Sequence, residues 1–497
     1  MQIVSAEQMR RAEAAAMARG SSEQDLMQQA GAGIAAVVRR LRPHSRHCTV
    51  FAGKGHNGGD VLVAGAALAR AGWSVRVVLA ADESDLAPLT TEQLPALRAL
   101  DRVEFSGSAG SPQVVLDGLL GVGCAGSLRG RVRDAADAIA GCRAGGALVV
   151  AADLPSGLDA DSGQPGEGCV VADVTVTIGY PKAGLSKDPA AACTGAIELV
   201  VLNGVEPPES SGPESILTRA ELANLLPRRP LTAHKGMCGR LGIVAGSSGF
   251  AGAATLAACG ALRGGAGLVT LFVNPAIYEI VASTAPPEAM VRASTELAAD
   301  VLDAGLDALA IGPGAGFERE ADMVRLLAGF PGPAVVDADA LAWVGRDPSL
   351  LTRSGAARLL TPHPGEMQRL FPRREEWTRA DWVEAWTAEH PGTLLLKGAR
   401  TLIGHAGRPL QFNPTGNPGL ASGGMGDVLT GLLGALLAQK LGAYEAACLG
   451  AWLHGRAADL LVHGGLISEE SLLAREVAAH LGPALLDLRS PFVRVGH

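Results

Sequence analysis

Residues 413–439 read NPTGNPGLASGGMGDVLTGLLGALLAQ, which sets a glycine-rich turn, Gly423-Gly424-Met425-Gly426, directly before Asp427 and an apolar helix. Glycines let a backbone approach an anion closely. The free N–H groups at a helix start, with the dipole behind them, favour a phosphoryl group. A carboxylate beside such a turn, here Asp427, is placed to take a proton from a hydroxyl near the phosphate. Alone, the pattern reads equally well as a capped helix after a flexible loop. Its neighbours favour chemistry. Residues 359–370, LLTPHPGEMQRL, hold His363 between two prolines at a strand end, and 310–316, AIGPGAG, form another tight turn. Residues 394–401, LLLKGART, put Lys397 and the backbone after it where nucleotide phosphates would lie. The acids of VVDADAL, 335–341, are candidates for holding Mg²⁺ through water.

The first half carries its own set. Residues 50–65, VFAGKGHNGGDVLVAG, are a strand, a glycine-rich turn suited to a phosphate, and a helix. Asp117 opens DGLLGVGCAGSLRG (117–130), Asp153 and Ser156 sit in AADLPSGLDADSG (151–163), and Lys182 lies in YPKAGL (180–185). Four polar loops converging on one sheet edge exceed what simple connectors require.

Two α/β units must position these loops. Apolar strand runs fall at 48–52, 74–80, 113–121, 147–155, 174–180 and 196–203, with a helix after the first turn. After the Pro/Ser/Glu-rich stretch 203–215, a linker by composition, a second series opens with HKGMCGRLGIVAGS (234–247). Its strands are expected at 239–247, 268–274, 307–314, 333–341, 357–366 and 393–398, with helices at 251–267 and 426–440. Buried all-apolar strands alternating with helices imply mainly parallel sheets covered on both faces, with ligands at the carboxyl ends of the strands. The halves show no mutual repeat, so two different domains are expected.

With 48% hydrophobic and 19% charged residues over 497 positions, the chain can bury two large cores. The net charge of -8 argues against a nucleic-acid or anionic-membrane surface. The eight cysteines include no CxxC pair and read as buried core thiols of a cytoplasmic protein. The N-terminus lacks the apolar core of a signal peptide, and no uninterrupted membrane-length apolar run occurs.

The ordered set HKG, GPGxG, DADAL, LTPHPGE, LKGA, NPTGNPGLASGG and GD resembles the ADP- or ATP-dependent NAD(P)H-hydrate dehydratases of the ribokinase superfamily, over residues 216–497. The resemblance implies that Asp427 is the base at the substrate hydroxyl. It implies that Ala253, Gly316 and His363 contact the hydrated nicotinamide nucleotide together with Asp427. Lys397, Gly398, Ala399, Arg400, Thr401 and Gly426 would bind the AMP part of the nucleotide, with Mg²⁺ and ADP or ATP expected. Hydroxide is a poor leaving group; phosphorylating it lets phosphate depart and restores the ring double bond. In one departure from the family's Gly-Thr-Gly-Asp, Met425 replaces the threonine.

Residues 1–210 resemble the NAD(P)H-hydrate epimerase domain. That resemblance implies a potassium ion on Asn57, Asp117 and Ser156. Substrate would lie against His56, Asn57, Gly58, Gly59 and Asp60, and against Gly121, Val122, Gly123, Cys124, Ala125, Gly126 and Ser127. Asp153 would be the acid/base at the ring carbon. The family's Asn-Asn-Gly-Gly-Asp-Gly appears as His56 to Val61, and a positive φ required at Val61 would reshape the loop. The expected fold is thus a Rossmann-like αβα domain followed by a ribokinase-like αβα domain. The implied substrates are NADHX and NADPHX, and a homo-oligomer is expected. A small-alcohol kinase and a non-catalytic N-terminal scaffold are the competing readings.

Overall fold

In a computed structural model, residues 1–123, 126–208 and 214–490 are described. They divide into two compact units, Met1–Thr218 with His463–Leu466, and Arg219–Val462 with Ile467–Ser490.

The first unit contains β1 (His47–Ala52), β2 (Ser74–Leu79), β3 (Val103–Phe105), β4 (Val114–Gly118), β5 (Leu148–Ala152), β6 (Val174–Ile178) and β7 (Ala196–Val200). They form a seven-stranded sheet in the order β3-β2-β1-β4-β5-β6-β7, and every pairing is parallel. Side chains alternate between faces with period two. Cys48, Val50 and Ala52 of β1 join one core while Phe51 joins the other, and Val150 and Val149 of β5 divide in the same way. Both faces are therefore apolar, which is why the strands read as continuous hydrophobic runs. The helices that position the site are α1 (Ala6–Ala18), α2 (Glu23–Leu41), α3 (His56–Arg70) and α4 (Gly130–Ala144).

The second unit contains β8 (Arg240–Val244), β9 (Leu268–Val273), β10 (Met290–Ala293), β11 (Ala308–Ile311), β12 (Ala334–Val336), β13 (Arg358–Leu360), β14 (Thr393–Leu396), β15 (Leu402–His405) and β16 (Leu410–Phe412). Their order is β10-β9-β8-β11-β12-β13-β14-β15-β16. The pairing is parallel as far as β14 and antiparallel beyond it. The helices used below are α5 (Ala251–Arg263), α6 (Pro364–Leu370), α7 (Met425–Ala438), α8 (Ala443–Val462) and α9 (Ala474–Arg489). Among the described residues no helix is long and apolar enough to cross a membrane.

The first seven strands of the second unit repeat the connectivity of the first, a correspondence that the sequences do not display. In each unit the order reverses between the first and fourth strands. That reversal opens a crevice beyond the strand ends, where such sheets bind ligands. Most strands are shorter than their apolar runs because the chain leaves the sheet at the glycines and acids that build this crevice.

Candidate active sites

In the second unit, Asp427 sits in the first turn of α7. Gly424 caps that helix in the left-handed conformation, φ 85°, where a side chain would be strained. A Cβ on Gly426 would lie 3.5 Å from the Lys397 ammonium and 3.8 Å from Asp337 Oδ2. The turn, the β14 end and the β12 end therefore meet. Lys397 Nζ donates to Asp337 Oδ1 at 2.9 Å and lies 3.6 Å from Glu366 Oε2. Thr430, one turn along α7, donates to the other Asp337 oxygen at 2.6 Å.

Burial, then the charge of Asp337, pushes the Asp427 carboxyl up to about 7, with Lys397 pulling the other way. Burial works against the Lys397 ammonium, but Asp337, Glu366 and Asp427 outweigh it and hold its pKa above the ordinary value. The result is a carboxylate poised to exchange a proton at neutral pH, beside a lysine fixed as a cation.

His363 caps α6. Its Nδ1 accepts from the backbone N–H groups of Gly365 (3.0 Å) and Glu366 (3.3 Å), while Glu366 accepts from the His363 N–H at 2.8 Å. With Nδ1 an acceptor, Nε2 carries the ring proton. The turn after β14 is tight: Gly398 has φ 150° and Arg400 φ 58°. Arg379 donates to Ala399 O at 2.7 Å, and Thr401 donates to Gly398 O at 3.1 Å. Arg400 is buried.

Ala253 lies on α5 against the turn after β11, with a Cβ on Gly314 falling 3.2 Å from its methyl. Gly316 packs by Ser247 and donates its N–H to Asp339 Oδ2 at 2.9 Å. The two acids after β12 thus have different partners. Asp337 answers Lys397 and Thr430, while Asp339 braces the glycine turn. Among the described residues no cluster of His, Cys, Asp and Glu forms a metal cage.

In the first unit, α3 starts at His56 straight after the β1 turn. A Cβ on Gly58 would fall 2.1 Å from Gly53 O, so only glycine permits this close return. Val61 is helical and fully buried. It packs where a Cβ on Gly118 would meet it at 2.3 Å, and it has no positive φ. The departure from glycine at Val61 therefore leaves the loop in place.

Asn57 donates from Nδ2 to Leu120 O at 2.7 Å, and its Oδ1 is buried without a hydrogen-bond donor among the described residues. Ser156 Oγ donates to Asp117 Oδ1 at 2.6 Å and accepts from Leu120 N at 2.9 Å. Asp117 is fully buried. Burial raises its pKa against the bonds it accepts from Ser156 and Leu119. Asn57, Ser156 and Asp117 are thus linked through Leu120, and the buried Asn57 Oδ1 is an oxygen of the type a monovalent cation takes.

Asp153 has φ 64°, unusual for a residue with a side chain. It forms an ion pair with buried Lys182. Burial, then Asp153 and Glu13, hold the Asp60 carboxyl well above its ordinary pKa, against Lys182. Glu13 on α1 is also raised, by burial first, with Lys182 opposing and Asp153 adding to the shift. A Cβ on Gly121 would lie 3.3 Å from the Asn57 side chain. Val122 and Gly123 form a turn, Gly126 a bend, and Ser127 follows it, with Gly126 O 2.1 Å from where Gly166 would carry a Cβ. Cys124 and Ala125 lie outside the described residues.

The sequence reasoning missed several groups. Glu366 is signalled by its place three residues after His363 in the capping pattern, and Thr430 by its i+3 spacing from Asp427. His454, buried on α8 with Nε2 unpartnered among the described residues, carries no such signal. Burial drives its pKa down to about 4, with the Met425 backbone opposing and Lys397 adding to the shift. Glu13 approaches from a helix that no motif touches.

The chain is 36% identical over 468 residues, 87% of each chain, to the bifunctional NAD(P)H-hydrate repair enzyme of Moorella thermoacetica. The chain belongs to the bifunctional NAD(P)H-hydrate repair enzymes. The Escherichia coli member is 37% identical, covering 92% of this chain and 89% of its own. The NAD(P)H-hydrate dehydratase family model matches residues 241–477, and the YjeF-related N-terminus model matches 23–184. Glu13 lies before that match. A solved ADP/ATP-dependent NAD(P)H-hydrate dehydratase from Bacillus subtilis, co-crystallised with ATP/Mg²⁺, is 31% identical with a TM-score of 0.50, covering 55% of this chain and 98% of its own.

Proposed function

We propose that the first unit interconverts the R and S hydrates of NADH and NADPH, and that the second converts the S hydrate to the reduced dinucleotide at the expense of ADP or ATP. The observation that carries this is Asp427, tuned to about 7 beside the Gly424–Gly426 turn and the Lys397–Asp337 pair. Asp427 takes the proton of the ring hydroxyl as its oxygen attacks the terminal phosphoryl. The bond to the nucleotide breaks, releasing AMP from ADP or ADP from ATP. Departure of phosphate from the ring carbon, with loss of a proton from its neighbour, restores the double bond. The turn N–H groups and Lys397 stabilise charge on the transferring phosphoryl.

Ala253, Gly316 and His363 line the substrate side, with His363 Nε2–H available as a donor. Residues 397–401 and Gly426 receive the nucleotide. Mg²⁺ would enter on the nucleotide phosphates and neutralise part of their charge. In the first unit Asn57, Ser156 and Asp117 would hold potassium, which would supply a fixed positive charge beside the substrate loops. Asp153 exchanges the proton as water leaves and returns at the ring carbon. The chain works in the cytoplasm as a homo-oligomer, as its composition and family suggest.

The test is Asp427→Asn in the full chain. Dehydration falls by about 10²–10⁴ while interconversion of the epimers persists. Dehydration near the wild-type rate would remove Asp427 from the reaction.

A further inference from the structure

Lys182 is the most deeply buried cation among the described residues of the first unit, 1% exposed, and a buried ammonium costs several kcal/mol unless paired. Its amine donates to Asp153 Oδ1 and, at 2.7 Å, to Ile178 O. The same Asp153 oxygen also accepts from the Ile178 N–H at 3.1 Å and the Thr177 hydroxyl at 3.5 Å. Three donors thus converge on Oδ1, and among the described residues none is given to Oδ2.

The lysine is itself locked. Val4 bridges to Lys182 as a parallel pair, donating its N–H to Pro181 O at 2.9 Å and accepting from Ala183 N at 2.8 Å. The carboxylate sits on a backbone held at φ 64°, a conformation that persists only where its surroundings impose it. A cation that served packing alone could be replaced by an apolar side chain at little loss. This one gives one hydrogen bond to a backbone carbonyl and one to a single oxygen of a strained carboxylate at the mouth of the crevice.

We propose that Lys182 is a positioning residue for epimerisation: by saturating Asp153 Oδ1 it leaves Oδ2 as the one oxygen that exchanges a proton with the substrate. The N-terminal strand segment at Val4 holds the lysine in register for this. The proposal rests on the reading of Asp153 as the acid/base. The role is indirect, since Lys182 has both its described acceptors in the protein and acts through Asp153.

The test uses the full chain, whose dehydration of the S hydrate reports in the same preparation that the protein is folded and intact. Lys182→Met should lower kcat for interconversion of the two epimers by about 10², leave KM within threefold, and leave dehydration unchanged. Lys182→Arg keeps a cation and serves if the methionine variant does not fold; it should recover part of kcat with KM again unmoved. In the Asp153→Asn background, Lys182→Met or Lys182→Arg should cost nothing further, because the two act as one unit. Unchanged kcat in both lysine variants, a loss expressed in KM, or losses that multiply with Asp153→Asn would each overturn the positioning role. Full activity of Asp153→Asn alone would instead overturn the reading of Asp153 on which the proposal stands.

Discussion

Gly426→Ala separates the anion site from the fold. Gly426 is the second residue of α7 and has no positive φ. Its Cβ would make only ordinary contacts, 3.5 Å to Lys397 Nζ and 3.8 Å to Asp337 Oδ2. Alanine is the better helix former, and a Gly→Ala change at a compatible position stabilises by about 0.4–1 kcal/mol. The methyl, however, fills the space beside the ammonium where a phosphate oxygen must come. Losing one charge-assisted contact costs about 1.5–3 kcal/mol, so nucleotide KM should rise about tenfold to a hundredfold. Gly424→Ala provides the contrast. Its φ of 85° and a Leu256 methyl 2.4 Å from the new Cβ make it destabilising. Melting temperature and nucleotide titrations of dehydration read both effects. A Gly426→Ala enzyme with nucleotide KM within twofold of wild type would refute the placement of the phosphate.

Three further outcomes follow from the charges. Because the carboxylate form of Asp427 is the active one, kcat/KM for dehydration should be full above about 7 and fall away as pH drops through it; a profile flat from pH 6 to 8 contradicts this. The same raised pKa means that ionising Asp427 costs stability, a penalty absent below the ordinary carboxylate range and complete above about 7. Asp427→Asn should therefore melt higher than wild type at pH 8, with the gain fading in acid, and thermal melts across pH check it. Asn57→Ala removes the orphaned oxygen and the bond to Leu120 O. It should abolish potassium-dependent epimerisation at a stability cost of about 1 kcal/mol while sparing dehydration, and rate measurements in potassium and lithium buffers decide it.

The parts legible in the sequence were those with local causes. Buried strands such as Leu148–Ala152 announced themselves by apolar runs, and the turns at Gly53–Gly58 and Gly423–Gly426 by glycines that a close approach requires. The edge strands Val103–Phe105 and Met290–Ala293 and the antiparallel pair Leu402–His405 and Leu410–Phe412 were missed. They are short, and their runs include charged or polar residues that blur the period. The acids of residues 335–341 looked alike in sequence. Only the sheet order, which brings the ends of β12 and β14 to the start of α7, gives Asp337 to Lys397 and Thr430 while Asp339 accepts from Gly316. Val61 opened the expected helical run where the family motif has glycine, and it proved to lie in the second turn of α3, where a β-branched side chain fills the core. Glu13 and His454 reach their sites across the fold from helices without motifs, a proximity that no spacing encodes.

The central claim, that one chain both epimerises and dehydrates, is tested most directly by the absorbance of the reduced nicotinamide. The full chain is added with Mg²⁺ and ADP or ATP to a mixture of both epimers of hydrated NADPH in potassium buffer. Complete recovery of the absorbance, faster than the epimers interconvert unaided, is the predicted result. Recovery limited to the S share would contradict the epimerase half, and no recovery with either nucleotide would contradict the account as a whole.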